Sequence, residues 1–501
     1  MEKRKILAIS ASLRNARWGK GIVDLIGSIK SIESKEELGQ FISSEAKIHY
    51  QQFLDAGRYE GLQFDEMYRN LKKLKGKKGL CNSEIGMVAA LWAAHNDGSD
   101  IEYLPLSSYF KANGSEKDLS ILKDKIMGCD GLIMCSPVYF GDRSSLASDL
   151  IEFIRKDDEI VASLENKVVG GVSVGAKRNG GQETALVYQL LEMSDLGMYA
   201  VGNDSETASQ YGGTIVAGDV GTASDDDYGI ETSIGVGRRV SRVSELINLS
   251  KSRNLRGKLK VMFWILQDSE NFALNKVNEL IAIAGNAIEV KIIKADSSEV
   301  GRCIACDICP IHVGKDSEYR CIVKKKKDKF VDIHKSMIDY DLIVPVTFSP
   351  KERGGVSTVY QKFIERTRYI RRGDYVWSNT TIFPLAYEEI GATENLKIRM
   401  ITSLIRHHTI ILPSQVPYLH NDRVINEDIV INNWKKAIKS SVVIATGRLV
   451  NLKNKSASSY NPVGYILSAE EDKELTVKAR RITLRNDRAV RRKKDIDLRL
   501  K

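Results

Sequence analysis

The sequence predicts two consecutive α/β domains, each an open parallel β-sheet with helices on both faces. Three observations carry this. Short apolar runs alternate with amphipathic stretches; the rhythm stops at the polar, basic segment Ser250–Gly257 and then starts again; and 501 residues exceed what one hydrophobic core organises.

In the first half, Lys5–Ser10 is an apolar run ending in small polar residues, the pattern of a buried parallel strand that runs into a loop. Ile101–Leu106, Gly131–Ser136, Lys167–Val174 and Thr214–Ala217 repeat it, and Ile85–His95, Leu119–Met127, Ser145–Ile154 and Glu183–Asp195 read as the helices between them. Residues 21–78 break the rhythm. They are charged and helical in pattern and stand where a loop of a few residues belongs, so they read as an inserted lid or oligomerisation element at the C-terminal edge of the sheet.

In the second half the strand candidates are Lys258–Leu266, Ile288–Ile293, Leu342–Thr347, Thr380–Leu385 and Thr409–Leu412. The helical stretches are Ala273–Ala284, Phe330–Met337, Ser357–Arg368, Asn395–Arg406 and Asp428–Ala445. The expected division is therefore 1–250, 258–450 and a basic extension, 451–501, with no letter-by-letter repeat between the halves.

Hydrophobic content of 43% and charged content of 28% are those of a water-soluble globular chain. No apolar run approaches the roughly 18–20 residues that span a bilayer, and Met1–Ile9 enters a strand without the apolar core of a signal peptide. The expectation is a cytoplasmic protein with no membrane partner. The net charge of +10 is concentrated at the end, where Lys473–Lys501 holds twelve Lys/Arg against four Asp/Glu. Such a tail can hold nucleic acid or an acidic protein surface, and a solvated chain end is the plainer reading.

Ligands of an open α/β sheet sit outside the C-terminal ends of its strands, so three loops of the first half should converge. The first is Ser10-Ala11-Ser12-Leu13-Arg14-Asn15, whose hydroxyls, backbone N–H groups and arginine suit a phosphate. With the insertion removed, this loop continues into Asn82 and Ser83, either of which could cap the following helix. The second loop is Ser136-Pro137-Val138-Tyr139-Phe140-Gly141-Asp142, which offers aromatic and backbone surface to a planar ring. The third is Gly175-Ala176-Lys177-Arg178-Asn179-Gly180-Gly181-Gln182-Glu183, where glycines admit a flat ligand and two cations can balance negative charge.

With these three loops the first half resembles the NAD(P)H-dependent FMN reductase family, which includes the iron-sulfur flavoproteins; the Ser-Pro-Val-Tyr-Phe-Gly turn at 136–141 is the most specific match. The resemblance covers nearly all of 1–249 apart from the insertion. It implies flavodoxin-like three-layer α/β/α domains in tandem, with five-stranded parallel sheets of order 2-1-3-4-5. It further implies FMN held by its phosphate on Ser10, Ser12, Arg14 and Asn82, its ring lying against Pro137–Gly141 and Gly175–Gly181, and hydride supplied by NAD(P)H. No side chain need donate a proton.

Seven cysteines are present, four of them within 303–321: Cys303, Cys306, Cys309 and Cys321. Two successive Cys-x-x-Cys steps and a later fourth thiolate suit a [4Fe–4S] cluster; the same set could hold tetrahedral zinc, or no metal. Iron-sulfur flavoproteins, which this segment resembles, carry such a motif with a shorter last gap. The second half's counterpart of the phosphate loop, Leu266-Gln267-Asp268-Ser269-Glu270-Asn271, brings two carboxylates where a phosphate would sit, so this half is expected to have lost FMN.

The function expected is an FMN-dependent oxidoreductase. NAD(P)H or a cluster reduces the flavin, which passes electrons to a small-molecule acceptor or a pathway protein, and a second copy of the chain or the fused second domain is a candidate cover for the flavin. The competing expectation is a binding or regulatory module with structural zinc and a basic nucleic-acid- or protein-binding tail.

Overall fold

A computed structural model describes the chain except for residues 1–2, 15–19, 75–78, 112–117, 208, 297, 307–320, 324–327, 334–336, 338, 353–357, 455–478, 480–481, 484–486, 488–495, 497 and 501. Asn15 and Cys309 lie outside the described residues. The chain divides into two compact units, Met1–Ser244 and Glu245–Lys501.

The first unit runs β1 (Lys5–Ser10), α1 (Lys20–Ser31), α2 (Lys35–Asp55), α3 (Phe64–Leu74), α4 (Asn82–Asn96), β2 (Asp100–Pro105), α5 (Ser120–Gly128), β3 (Gly131–Pro137), α6 (Ser145–Lys156), α7 (Asp158–Ser163), β4 (Val168–Gly175), α8 (Gln182–Asp195), β5 (Tyr199–Ala200), β6 (Gly213–Val216) and α9 (Asp227–Ser250). Strand β1 pairs in parallel with β2 on one side and β3 on the other; β3 pairs with β4, and β4 carries both β5 and β6, the first on Val168–Val169 and the second on Val172–Gly175. The strands are apolar along their length because helices cover both faces of a parallel sheet.

The inserted segment forms α1, α2 and α3 and is docked on the sheet domain. Trp92 on α4 donates to the Ile32 carbonyl (3.0 Å), and Leu80, just ahead of α4, donates to the Glu45 carbonyl on α2 (3.1 Å). This explains a feature of α4 that sequence periodicity handles poorly: twelve of its fifteen residues are buried. A helix apolar all round needs cover on every side, and the insertion provides the outer side.

The second unit runs β7 (Leu259–Ile265), α10 (Phe272–Ala284), β8 (Ile288–Lys294), α11 (Lys329–Ile333), β9 (Leu342–Ser349), α12 (Thr358–Arg366), α13 (Arg368–Asp374), β10 (Thr381–Ile382), β11 (Leu385–Glu389), α14 (Leu396–Leu404), β12 (Ile410–Ile411), β13 (Tyr418–His420), β14 (Arg423–Val424) and α15 (Glu427–Asn454). Strand β7 lies between β8 and β9, all parallel. The single strand expected over Thr380–Leu385 is two, β10 and β11, both paired to β9. Pro384 separates them because it has no N–H to give the ladder. Strand β10 continues to β12, whereas β11 continues to β13 and the antiparallel β13–β14 hairpin.

The end of the chain is tied into this unit. Ile496 and Leu500 pack with Leu249, Leu449 and Val450, and Arg256 donates its backbone N–H to the Arg499 carbonyl (2.8 Å). The Arg499 and Arg448 guanidiniums both meet the buried Asp341 carboxylate, Arg448 at 2.7 Å, while the Lys260 N–H donates to it at 3.0 Å. Burial would raise the Asp341 pKa, but the two arginines outweigh it and hold the carboxyl below its ordinary range.

Candidate functional site

The three loops of the first unit meet at the C-terminal ends of β1, β3 and β4. Ser144, at the start of α6, ties the first two together: its hydroxyl donates to the Ala11 carbonyl (2.8 Å), and its N–H donates to Ser136 Oγ (2.9 Å). Ala11 N–H donates in turn to the Cys135 carbonyl (2.8 Å). Inside the first loop, Arg14 N–H reaches Ser12 Oγ at 3.3 Å, and Ser10 and Ser12 are buried.

The second loop is a tight turn, with Tyr139 and Asp142 exchanging backbone hydrogen bonds at 2.8 and 3.0 Å and Val138 N–H on the Val174 carbonyl (2.8 Å). Phe140 and Gly141 both take positive φ, 51° and 82°. Phe140 is fully exposed and Tyr139 is 58% exposed, so two aromatic faces stand open at the rim.

The third loop touches the second. Gly181 has φ +98°, and a Cβ there would come within 2.8 Å of Gly141 Cα and 3.2 Å of Val138 Cγ1. Its shape is set by Gln182, near the end of the loop, to which the sequence pattern assigns no role. The Gln182 amide donates to the carbonyls of Lys177 (2.8 Å) and Ile215 (3.2 Å) and accepts from Gly180 N–H (2.8 Å). A polar residue directly after a double glycine at the start of a helix was the available signal. Ala176, Lys177, Asn179 and Gly180 are exposed. Arg178 donates to the Thr214 carbonyl (2.9 Å), pairs with Asp226 and stacks 4.8 Å from the Tyr228 ring. It lines, with Asn179, Gly181, Gln182, Thr214 and Tyr228, an open cleft of about 390 Å³.

Asn82 and Ser83 occupy the first turn of α4 and are buried, but neither holds the capping position, which belongs to Cys81. Cys81 N–H donates to Glu84 Oε2 (2.8 Å), and Tyr103 OH donates to Glu84 Oε1 (2.9 Å). The Asn82 side chain is engaged elsewhere, its amide donating to the Asp219 carbonyl (2.8 Å) and its carbonyl accepting from Gly221 N–H (3.0 Å). Asn82 thus ties the α4 terminus to the 219–223 loop, which Arg58 of the insertion also grips through Asp219 (2.7 Å). Burial is the main cause that pushes the Cys81 thiol far above its ordinary range, with the Glu84 carboxylate adding to it, so Cys81 stays protonated.

The residues present fit FMN. Ser10 and Ser12 are buried where β1 runs into the turn at Arg14, and the 137–141 turn, with Tyr139 and Phe140 exposed, closely approaches the 175–181 loop at Gly141 and Gly181.

In the second unit, Cys303 and Cys306 are half-buried and Cys321 is buried. Among the described residues no three His, Cys, Asp or Glu side chains converge as a metal site. Two arginines reach the sulfurs: Arg366 Nε lies 3.2 Å from Cys321 Sγ and Arg368 Nη1 lies 3.7 Å from Cys303 Sγ. The loop after β7 places Asp268 Oδ1 on the Ala273 N–H (2.7 Å), so the protein's own carboxylate fills the anion position at the start of α10.

No helix among the described residues is long and apolar enough to cross a membrane. Residues 78–211 match the family NADPH-dependent FMN reductase. An iron-sulfur flavoprotein of Methanocaldococcus jannaschii is 38% identical over 130 residues, 26% of this chain and 66% of its own length. The iron-sulfur flavoprotein of Methanosarcina thermophila is 28% identical over 141 residues, 28% of this chain and 68% of its own. The chain thus spans about two thirds of the length of these relatives. A solved flavone reductase aligns over 49% of this chain and 64% of its own at 13% identity, with a TM-score of 0.28, too slight a likeness to bear on function. Through residues 78–211, which hold the second and third loops and the start of α4, the chain belongs to the NADPH-dependent FMN reductase family.

Proposed function

We propose that the chain is an FMN-dependent oxidoreductase whose first unit binds one FMN and transfers an electron pair from NAD(P)H to a small-molecule or protein acceptor. The observation that carries this reading is the close approach of the Pro137–Gly141 and Gly175–Gly181 loops at the end of the sheet where the buried Ser10 leads into the Ser12–Arg14 turn. FMN, when bound, supplies the two-electron chemistry, and the chain supplies position and charge. Ser10, Ser12 and Arg14 hold the phosphate end, backbone groups of 137–141 and 175–181 flank the ring, and Lys177 stands exposed at its edge.

The second unit reads as a diverged copy of the same flavodoxin-like design that no longer takes FMN, because Asp268 caps α10 where a phosphate would bind. Cys303, Cys306, Cys309 and Cys321 are the proposed ligands of a [4Fe–4S] cluster, with zinc as the alternative. The guanidinium N–H groups of Arg366 and Arg368 beside two of these sulfurs suit anionic thiolates.

The test is anaerobic addition of NADPH, and separately NADH, to the FMN-loaded protein. The expected result is bleaching of the flavin's visible band by at least one of them and its recovery when a quinone is added. An unbleached flavin with both nucleotides rules out NAD(P)H as the reductant.

A further inference from the structure

We propose that α3 of the inserted segment is a dimerisation helix, which packs antiparallel against α3 of a second copy of this chain. The reading is independent of what the flavin site binds.

Sequence and burial together define the surface. Along Phe64–Leu74 the apolar residues Phe64, Met67, Tyr68 and Leu71 recur at helical spacing and share one side of the helix. A helix of this kind gains most of its stability by burying that side against a neighbour. In α3 none of the four is buried. Met67 and Leu71 are half-buried, as is Asn70, whose amide donates to the Ala56 carbonyl at the end of α2 (3.4 Å), so this edge of the helix leans on the insertion itself. Phe64 and Tyr68 are 82% and 49% exposed, and their rings stack with centroids 6.3 Å apart and planes within 8°. Tyr59, in the turn before α3, adds a third ring that is 68% exposed. That turn is fixed to the sheet domain, because the neighbouring Arg58 guanidinium donates to both oxygens of Asp219, at 2.7 and 2.9 Å. Single exposed apolar side chains are ordinary, whereas a stacked aromatic ridge along a helix held in place marks an interface.

The charges on α3 select the occupant. Asp65 and Glu66 stand in its first turn and Lys72 and Lys73 in its last; all four are exposed, and none has an ion-pair partner among the described residues. A partner of one charge sign would be repelled at one end. A second α3 running the opposite way lays its acidic turn along the basic turn of the first, and its basic turn along the acidic one, with the two aromatic ridges between them. This is the self-complementarity that a two-fold interface requires, and the opposed helix dipoles agree with it. A parallel pair would set like charges side by side. Eleven residues make a helix about 16 Å long, so the interface is small and the dimer dissociates on dilution.

The experiment is analytical ultracentrifugation of the full chain from about 5 to 500 µM, with circular dichroism to verify that each variant is folded. The unaltered chain should pass from one chain mass to two across this range. Phe64→Ser with Tyr68→Ser should weaken self-association at least about tenfold. Asp65→Lys with Glu66→Lys makes α3 basic throughout, and Lys72→Glu with Lys73→Glu makes it acidic throughout. Each of these two chains alone should associate at least about tenfold more weakly, and an equal mixture of them should dimerise again. Charge variants that dimerise alone like the unaltered chain, or a mixture that stays monomeric, overturn the antiparallel pairing. A chain that is monomeric at every concentration overturns the proposal outright, even if it then pellets with anionic phospholipid vesicles, the other surface that an aromatic and partly basic helix could meet.

Discussion

Replacing Arg366 with methionine should lower the stability of the second unit by about 3–5 kcal/mol, the cost of leaving a buried charge without its partner. Arg366 and Asp328 pair at 2.7 Å with both side chains fully buried. The same guanidinium donates to the Gly301 carbonyl (3.1 Å), the Val323 carbonyl (3.1 Å) and Cys321 Sγ (3.2 Å), and lies 4.8 Å from the Phe330 ring centre. One side chain therefore closes five contacts around the segment that carries the cysteines, and methionine keeps none of the hydrogen bonds. Chemical denaturation followed by tryptophan fluorescence reads this directly, because Trp264, Trp377 and Trp434 are all buried in this unit. The double variant Arg366→Met with Asp328→Leu should recover much of the loss, since it removes the stranded carboxylate. A single variant within 1 kcal/mol of the unaltered protein would show that Asp328 finds other compensation.

Gly181→Ala should weaken FMN binding on the order of 100-fold while leaving the first unit folded. Two costs add. At φ +98° an alanine is strained, by about 1–3 kcal/mol, and its Cβ enters the space that Gly141 Cα occupies at 2.8 Å. The loop can relieve both by moving away from 138–141, which opens the contact flanking the ring, so the strain must be met again on binding. Together they amount to about 3 kcal/mol, which is the 100-fold stated. Gly180→Ala is the control. Gly180 lies in the same loop without a positive φ, and its added Cβ would press at 2.7 Å on the Lys177 carbonyl within the loop itself, so it matches the steric load without the Gly141 contact. Equal loss in the two variants would mean that the loop is sensitive to any added carbon and that the Gly141 contact has no special role.

Much of this was legible in the sequence, for physical reasons that differ by element. The strands buried on both faces, Lys5–Ser10 above all, announce themselves as unbroken apolar runs, and the structure places β1 on those six residues. The loops that follow β3 and β4 were legible because Pro137, Gly141, Gly175 and Gly181 mark required turns. Side-chain destinations were not. Arg178 reads as a cation for the flavin, yet Asp226, some fifty residues on, holds it. Asn82 reads as a phosphate ligand or helix cap, yet a loop more than a hundred residues away takes both ends of its amide. Long-range polar pairing has no period and leaves no mark on local composition. The same holds for the basic chain end, which reads as solvated, although Ile496, Leu500 and Arg499 are tied into the second unit. The split at Pro384 was visible in one letter and was outweighed by the apolar run around it.

The central claim is that one unit of the two binds FMN. It is tested by saturating the full chain with FMN, removing the excess, and measuring the flavin released per chain on denaturation. The expected value is one FMN per chain, falling toward zero in Gly181→Ala under the same washing. Two equivalents would contradict the loss of the site at Asp268, and a protein that retains no flavin would contradict the assignment of the pocket itself.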